Sequence, residues 1–240
     1  MPSNGTSRTV NILVIGAAGG IGSQLVSDLA EFHNLLLGYN HNMPVAQSAK
    51  LEPVDACSFD SVHNFVEKGL QEFGSVDSVI NLPGNLILKP AHLSSEEEFY
   101  KTIDINLKSA FAVIRAAGSL LTDCSIILMS TAAARIGLAN HELIASAKSG
   151  VEGLARSAAK TYAKKNIRVN TVSPGLVDTP LSAKIVQNSI ALSASKKMHT
   201  LGEIGKPKHI SNMISFLTNP ENNWITGQNF VIDGGLSSTK

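Results

Sequence analysis

Val10-Asn11-Ile12-Leu13-Val14-Ile15 is a short apolar run, and Gly16-Ala17-Ala18-Gly19-Gly20-Ile21-Gly22 follows it directly. The run suits a strand buried on both faces of a sheet. From Gly20 to Phe32 the apolar residues change to helical spacing, at Ile21, Leu25, Val26 and Leu29. The glycines therefore lie in a tight turn between a strand and a helix. Such a turn allows positive φ and close backbone approach. The N-terminus of the helix then offers free N–H groups and a partial positive charge to a phosphate. A glycine pattern alone is weak; in the first strand–helix turn of an alternating chain it is considerably stronger.

The rest of the chain repeats the alternation. Leu35-Leu36-Leu37 reads as a second strand, a polar segment Asn40 to Lys50 follows, and a third strand is expected near Val54. Ser58 or Asp60 caps a helix through Val62, Phe65, Val66, Leu70 and Phe73, ended by Gly74. Val76 to Leu82 is a fourth strand. Ser94 or Ser95, before Glu96-Glu97-Glu98, opens a long helical stretch whose acids complement the N-terminal dipole. Ser125–Met129, Arg168–Val172 and Asn229–Ile232 read as strands, Leu143–Ala163 and Lys208–Leu217 as helices. The pattern predicts an α/β Rossmann-type doubly wound parallel sheet of about seven strands, helices on both faces, in a single domain over residues 10–240. Residues 1–9 read as a flexible tail. The irregular stretch 176–206 either carries short helices or forms a lid.

Composition narrows the function. The 240 residues carry 20 basic and 19 acidic side chains, so nothing points to nucleic acid or an anionic membrane. No apolar run approaches the roughly 20 residues of a membrane span. Cys57 and Cys124 are too few for a disulfide framework or metal site and fit a reducing compartment. A cytoplasmic protein without a metal is expected.

Four stretches carry a family likeness: Gly16-x-x-x-Gly20-x-Gly22, Asn106-Leu107-Lys108-Ser109-Ala110-Phe111, Asn170-Thr171-Val172-Ser173-Pro174-Gly175, and the C-terminal Gly205-Lys206-Pro207 with Ile225-Thr226-Gly227-Gln228 and Asp233-Gly234-Gly235. In this order they resemble the short-chain dehydrogenase/reductase family, nearest the branch containing 3-oxoacyl-carrier-protein reductases. The resemblance implies NAD or NADP. It assigns cofactor binding to Gly16, Ala18, Gly20, Ile21, Gly22, Asp55, Ala56, Asn81, Gly84, Lys148, Pro174, Gly175, Val177 and Thr179, with Asp55 at the adenine edge. After the second strand, Tyr39-Asn40-His41 has neither the acid that favours NAD nor the arginine that favours NADP. Asn40, His41 or Lys50 is available to a 2′-phosphate; equally, this is an exposed loop without that role. Relatives are usually homotetramers, so a tetramer or dimer is expected.

The resemblance also exposes a defect. Placing Lys148 on the family lysine puts Ile144 where a tyrosine protonates the carbonyl oxygen. Thirteen residues earlier, Thr131 takes the place of the substrate-orienting serine, and Asn106 matches the asparagine of the water relay. Isoleucine has no proton to give, and losing a positioned general acid typically costs about 10² to 10⁴ in rate. His141, three residues before Ile144, is a candidate substitute donor if the helix has begun there; otherwise it caps or packs the helix start. Three functions follow: an oxidoreductase of a carbonyl, quinone or enone substrate with altered proton delivery; a non-catalytic dinucleotide sensor or scaffold; or lyase or epimerase chemistry on the same scaffold.

Overall fold

The computed structural model describes residues 8–46 and 48–239. Most of the expected tail, residues 1–7, lies outside the described residues. Seven parallel strands form one sheet: β1 Asn11–Ile15, β2 Asn34–Tyr39, β3 Lys50–Pro53, β4 Ser78–Asn81, β5 Ser125–Met129, β6 Arg168–Pro174 and β7 Asn229–Ile232. Their spatial order is β3-β2-β1-β4-β5-β6-β7. The order reverses between β1 and β4, and α/β sheets bind ligands beyond the carboxyl ends of the strands at such a point.

Alternation along each strand builds two cores. Leu13, Ile15, Leu36, Val79, Ile126 and Leu128 face one layer of helices, α2 (Phe59–Phe73), α4 (Ser109–Leu120) and α5 (Glu142–Thr161). Ile12, Val14, Leu35, Leu37, Ile80 and Ile127 face the other, α1 (Gly20–Leu29) and α8 (Pro207–Thr218). Fully burying each such side chain contributes roughly 1.5–3 kcal/mol. Asp28 of α1 clasps α8 by accepting from Lys208 Nζ and Ser211 Oγ, both at 2.6 Å.

Local signals set the helix ends. Ser58 caps α2 by accepting from Ser61 N–H at 3.2 Å, and Gly74 closes it in the left-handed region at φ 75°. Ser95 and Glu98 form a reciprocal capping box on α3 (Glu96–Ile103). The stretch after Ser95 is not one helix, however. Between α3 and α4 the chain makes a π-helical turn over Asp104–Lys108. The third strand ends at Pro53, just before the expected Val54. It lies on the sheet edge and pairs only with β2, so Lys50 and Glu52 are tolerated there. No helix joins β2 to β3 among the described residues. The stretch 176–206 carries two short helices, α6 (Ala183–Val186) and α7 (Ser189–Met198). No described helix is long and apolar enough to cross a membrane.

Candidate active site

The glycine turn stands at the carboxyl end of β1. Gly16 adopts φ 82°, and its N–H and that of Ala17 donate to Gly38 O at 3.0 and 3.2 Å. A Cβ on Gly22 would lie 2.5 Å from Gly16 O and 2.6 Å from Ala17 O, so only glycine lets α1 begin this close to the turn. A Cβ on Gly20 would lie 2.8 Å from Thr179 Cβ, filling the space between the helix N-terminus and the loop after β6. The first N–H groups of α1 lack partners within the helix. This cradle of glycines and open N–H groups fits a dinucleotide pyrophosphate.

Beside it lies a cleft of about 160 Å³ between the start of α1 and the ends of β4, β5 and β6. Ile21, Gly84, Asn106, Thr131, Lys148, Pro174, Gly175, Val177 and Thr179 all line it, and so does Ile144. A larger cavity of about 360 Å³ lies near the opposite ends of the strands, around Arg8, Asp77 and Arg168. It has no glycine cradle and none of these residues; the candidate residues gather at the smaller cleft.

Lys148 and Ile144 lie one turn apart on the buried face of α5. The Lys148 ammonium donates to Met129 O at 2.9 Å. Burial among apolar groups pushes its pKa down from 10.5 to about 8, because desolvation penalises the charged form. Thr131 follows β5, its hydroxyl accepting from Ala133 N–H at 3.3 Å. Asn106 sits in the π turn, a distortion frequent at functional sites. Its Nδ2 donates to Thr102 O at 3.0 Å and to Asn85 Oδ1 at 2.7 Å. Its Oδ1 is buried without a protein partner.

Some expected residues are not brought to the cleft. His141 is the N-cap of α5: its carbonyl accepts from Ala145 N–H at 2.8 Å, but its own backbone, at φ −104° and ψ 10°, is not helical. Its Nδ1 lies 2.8 Å from Ala139 O, and the ring is not among the groups lining the cleft. The helical spacing that would aim it beside position 144 does not apply. Asn81 is buried at the end of β4 and gives its amide to Ser109 Oγ at 3.1 Å. Ala56 packs into the core. Asn40 and His41 are exposed after β2. Lys50 pairs with Glu72 of α2. Asp55 is exposed and accepts from Cys57 N–H at 2.9 Å.

Two contributors escape a reading of motifs. Glu152 Oε1 accepts from Ser130 Oγ and Asn229 Nδ2, both at 2.8 Å, tying α5 to β5 and β7 just behind Lys148. Asn85, next to Gly84, holds Asn106. Glu152 follows Lys148 by one helical turn, and that spacing is the only sequence signal for it.

A family model described as enoyl-(acyl carrier protein) reductase matches residues 16–237. The chain belongs to the short-chain dehydrogenase/reductase family. Members of this family use NAD or NADP as cofactor. A 3-oxoacyl-[acyl-carrier-protein] reductase FabG of Thermotoga maritima is 34% identical over 182 residues, covering 74% of this chain and 72% of that protein. Cyclohexanol dehydrogenase of an Acinetobacter species is 28% identical, with 94% of each chain covered. The ligand-free aldohexose dehydrogenase of Thermoplasma acidophilum superposes with a TM-score of 0.89 at 26% identity, over 97% of this chain and 96% of that one. Dehydrogenase and reductase relatives make the chain an oxidoreductase of the short-chain family.

Proposed function

We propose that the protein interconverts a carbonyl compound and its alcohol with NAD(P)(H), and that Lys148, working through solvent, takes over proton delivery from the tyrosine that Ile144 replaces. The observation that carries this is the cleft itself: Lys148 is the only ionisable side chain among the described residues lining it. A dinucleotide in the glycine cradle supplies hydride chemistry. Gly16 to Gly22 bind its phosphates, Val177 and Thr179 flank its nicotinamide end, and Thr131 Oγ1 orients the substrate oxygen. The lysine ammonium is the acid form. Carbonyl reduction therefore declines as pH rises past about 8, where the free lysine titrates.

Apolar walls from Leu82, Leu86, Met129, Ile144 and Leu181 favour an uncharged substrate. Ketones resembling those of the named relatives are the class to try first. Activated ketones, quinones and enones follow, since each spreads developing charge and needs less help from an acid. We also place a second copy of the chain against the α4–α5 face, where Phe111 is 48% exposed beside Ile114, Leu154 and Tyr162. The unpaired Cys57 and Cys124 support a reducing interior such as the cytoplasm. A dinucleotide sensor without turnover is the second reading, favoured by Ile144 alone.

A titration of NADH and NADPH, followed by a ketone and quinone turnover screen on wild type and Lys148→Met, separates the two. Turnover that collapses in the variant supports the enzyme. Binding without turnover of any carbonyl supports the sensor, and binding of neither dinucleotide overturns both.

A further inference from the structure

We propose that Asn85 supplies the hydrogen-bond donor that Ile144 cannot: its side-chain Nδ2–H grips the carbonyl or alcohol oxygen of the substrate. This role rests on the carbonyl reductase reading above.

The hydrogen-bond network fixes both amide orientations. Thr102 O is a carbonyl and accepts only, so the Asn106 amide group 3.0 Å from it must be Nδ2. That same nitrogen lies 2.7 Å from Asn85, which must answer with Oδ1. Asn85 Nδ2 is therefore the end directed elsewhere. It is buried and has no protein partner. Leaving such a donor unmet costs roughly 1–3 kcal/mol, so a native fold retains one where something else meets it. Asn85 lines the cleft with Lys148, Thr131 and Ile144. The donor therefore belongs to a residue on the wall of the cleft in which Ile144 brings no hydrogen-bonding group beside Thr131.

The chemistry is that of a fixed dipole. An amide N–H does not surrender its proton at neutral pH. It stabilises the negative charge that grows on oxygen while the carbonyl carbon is reduced, and the proton completing the alcohol comes from solvent and Lys148. Asn106 acts as the positioning residue that aims it.

Asn85→Asp is the discriminating variant. Its carboxylate still accepts from Asn106 Nδ2, but the donor becomes an acceptor. In ¹H–¹⁵N spectra of the isotope-labelled protein loaded with NADH or NADPH, the side-chain amide pair missing from N85D identifies Asn85. Adding isobutyramide, an unreactive carbonyl, should move that pair in the wild type. In turnover, N85D should lose on the order of 10² to 10³ in kcat, the usual cost of one such donor. It should recover as the pH is lowered and the new carboxyl gains an O–H. Asn85→Ala should lose turnover without that recovery, and serves alone if N85D does not fold. An Asn85 amide that stays still while isobutyramide binds, or N85D working at the wild-type rate, overturns the role and leaves the reductase reading standing. Failure of the wild type to bind either dinucleotide overturns the reductase reading, and this role with it.

Discussion

Replacing Ile144 with tyrosine should raise the rate of carbonyl reduction. Ile144 is 4% exposed and forms part of the cleft wall, one helical turn before Lys148. Helical side chains lean toward the N-terminus, so a ring at 144 extends along the cleft rather than into the sheet. Its hydroxyl would meet the carbonyl oxygen with the Lys148 ammonium nearby to favour the phenolate. A positioned general acid is worth about 10² to 10⁴ in rate. At about 1.36 kcal/mol per decade, that is roughly 2.7–5.4 kcal/mol off the barrier. Against this stands the strain of a larger side chain, typically about 1–3 kcal/mol of folding stability. The cleft's free volume of about 160 Å³ keeps that strain at the low end. The assay is kcat at saturating cofactor for the best ketone of the screen, with a urea melt of both proteins. An I144Y protein that is folded, binds dinucleotide and turns over at the wild-type rate would refute the idea that proton donation is what the cleft lacks.

Two further outcomes are expected. The folded state holds Lys148 at about 8 while the unfolded chain leaves it at 10.5, so between those values the unfolded state binds more protons and stability rises with pH. That contribution is fully present above 10.5 and is lost as pH falls to about 8, by on the order of 3 kcal/mol; Lys148→Met should flatten this part of a urea-melt pH series. Gly22→Ala drives a Cβ against Gly16 O and Ala17 O at 2.5 and 2.6 Å, both immobile backbone. It should cost about 1–3 kcal/mol in denaturant titration and weaken NADH and NADPH binding measured by nucleotide fluorescence.

The fold was legible where burial leaves a periodic mark. Central strands such as β1 and β5 are covered on both faces and read as unbroken apolar runs. β3 was expected near Val54 and ends one residue before it; as an edge strand paired on one side it carries Lys50 and Glu52 without penalty, so its start left no apolar mark. The π turn at Asp104–Lys108 left no mark, since one wider hydrogen-bonded turn barely disturbs apolar spacing. Lys148, Thr131 and Asn106 were singled out from short, local motifs, and all three line one cleft. His141 was mis-aimed because spacing holds only inside a helix, and residue 141 is not yet in one. The Asn85–Asn106 pair spans 21 residues and depends on which way two amides point, which composition does not encode.

The strand order also bears on synthesis. β1 to β4 occupy residues 11–81 and make up one contiguous half of the sheet. At about 5–20 residues per second, a ribosome takes roughly 2–10 s more to complete β5 and roughly 7–27 s more to complete α8. For the first part of that interval the outer edge of β4 awaits β5, and throughout it the Leu25–Leu29 face of α1 awaits Ile210 and Ile214 of α8. The nascent half-sheet therefore shows a parallel edge and an apolar stripe at the same time, the pair of features on which a chaperone, or another nascent copy, would act first.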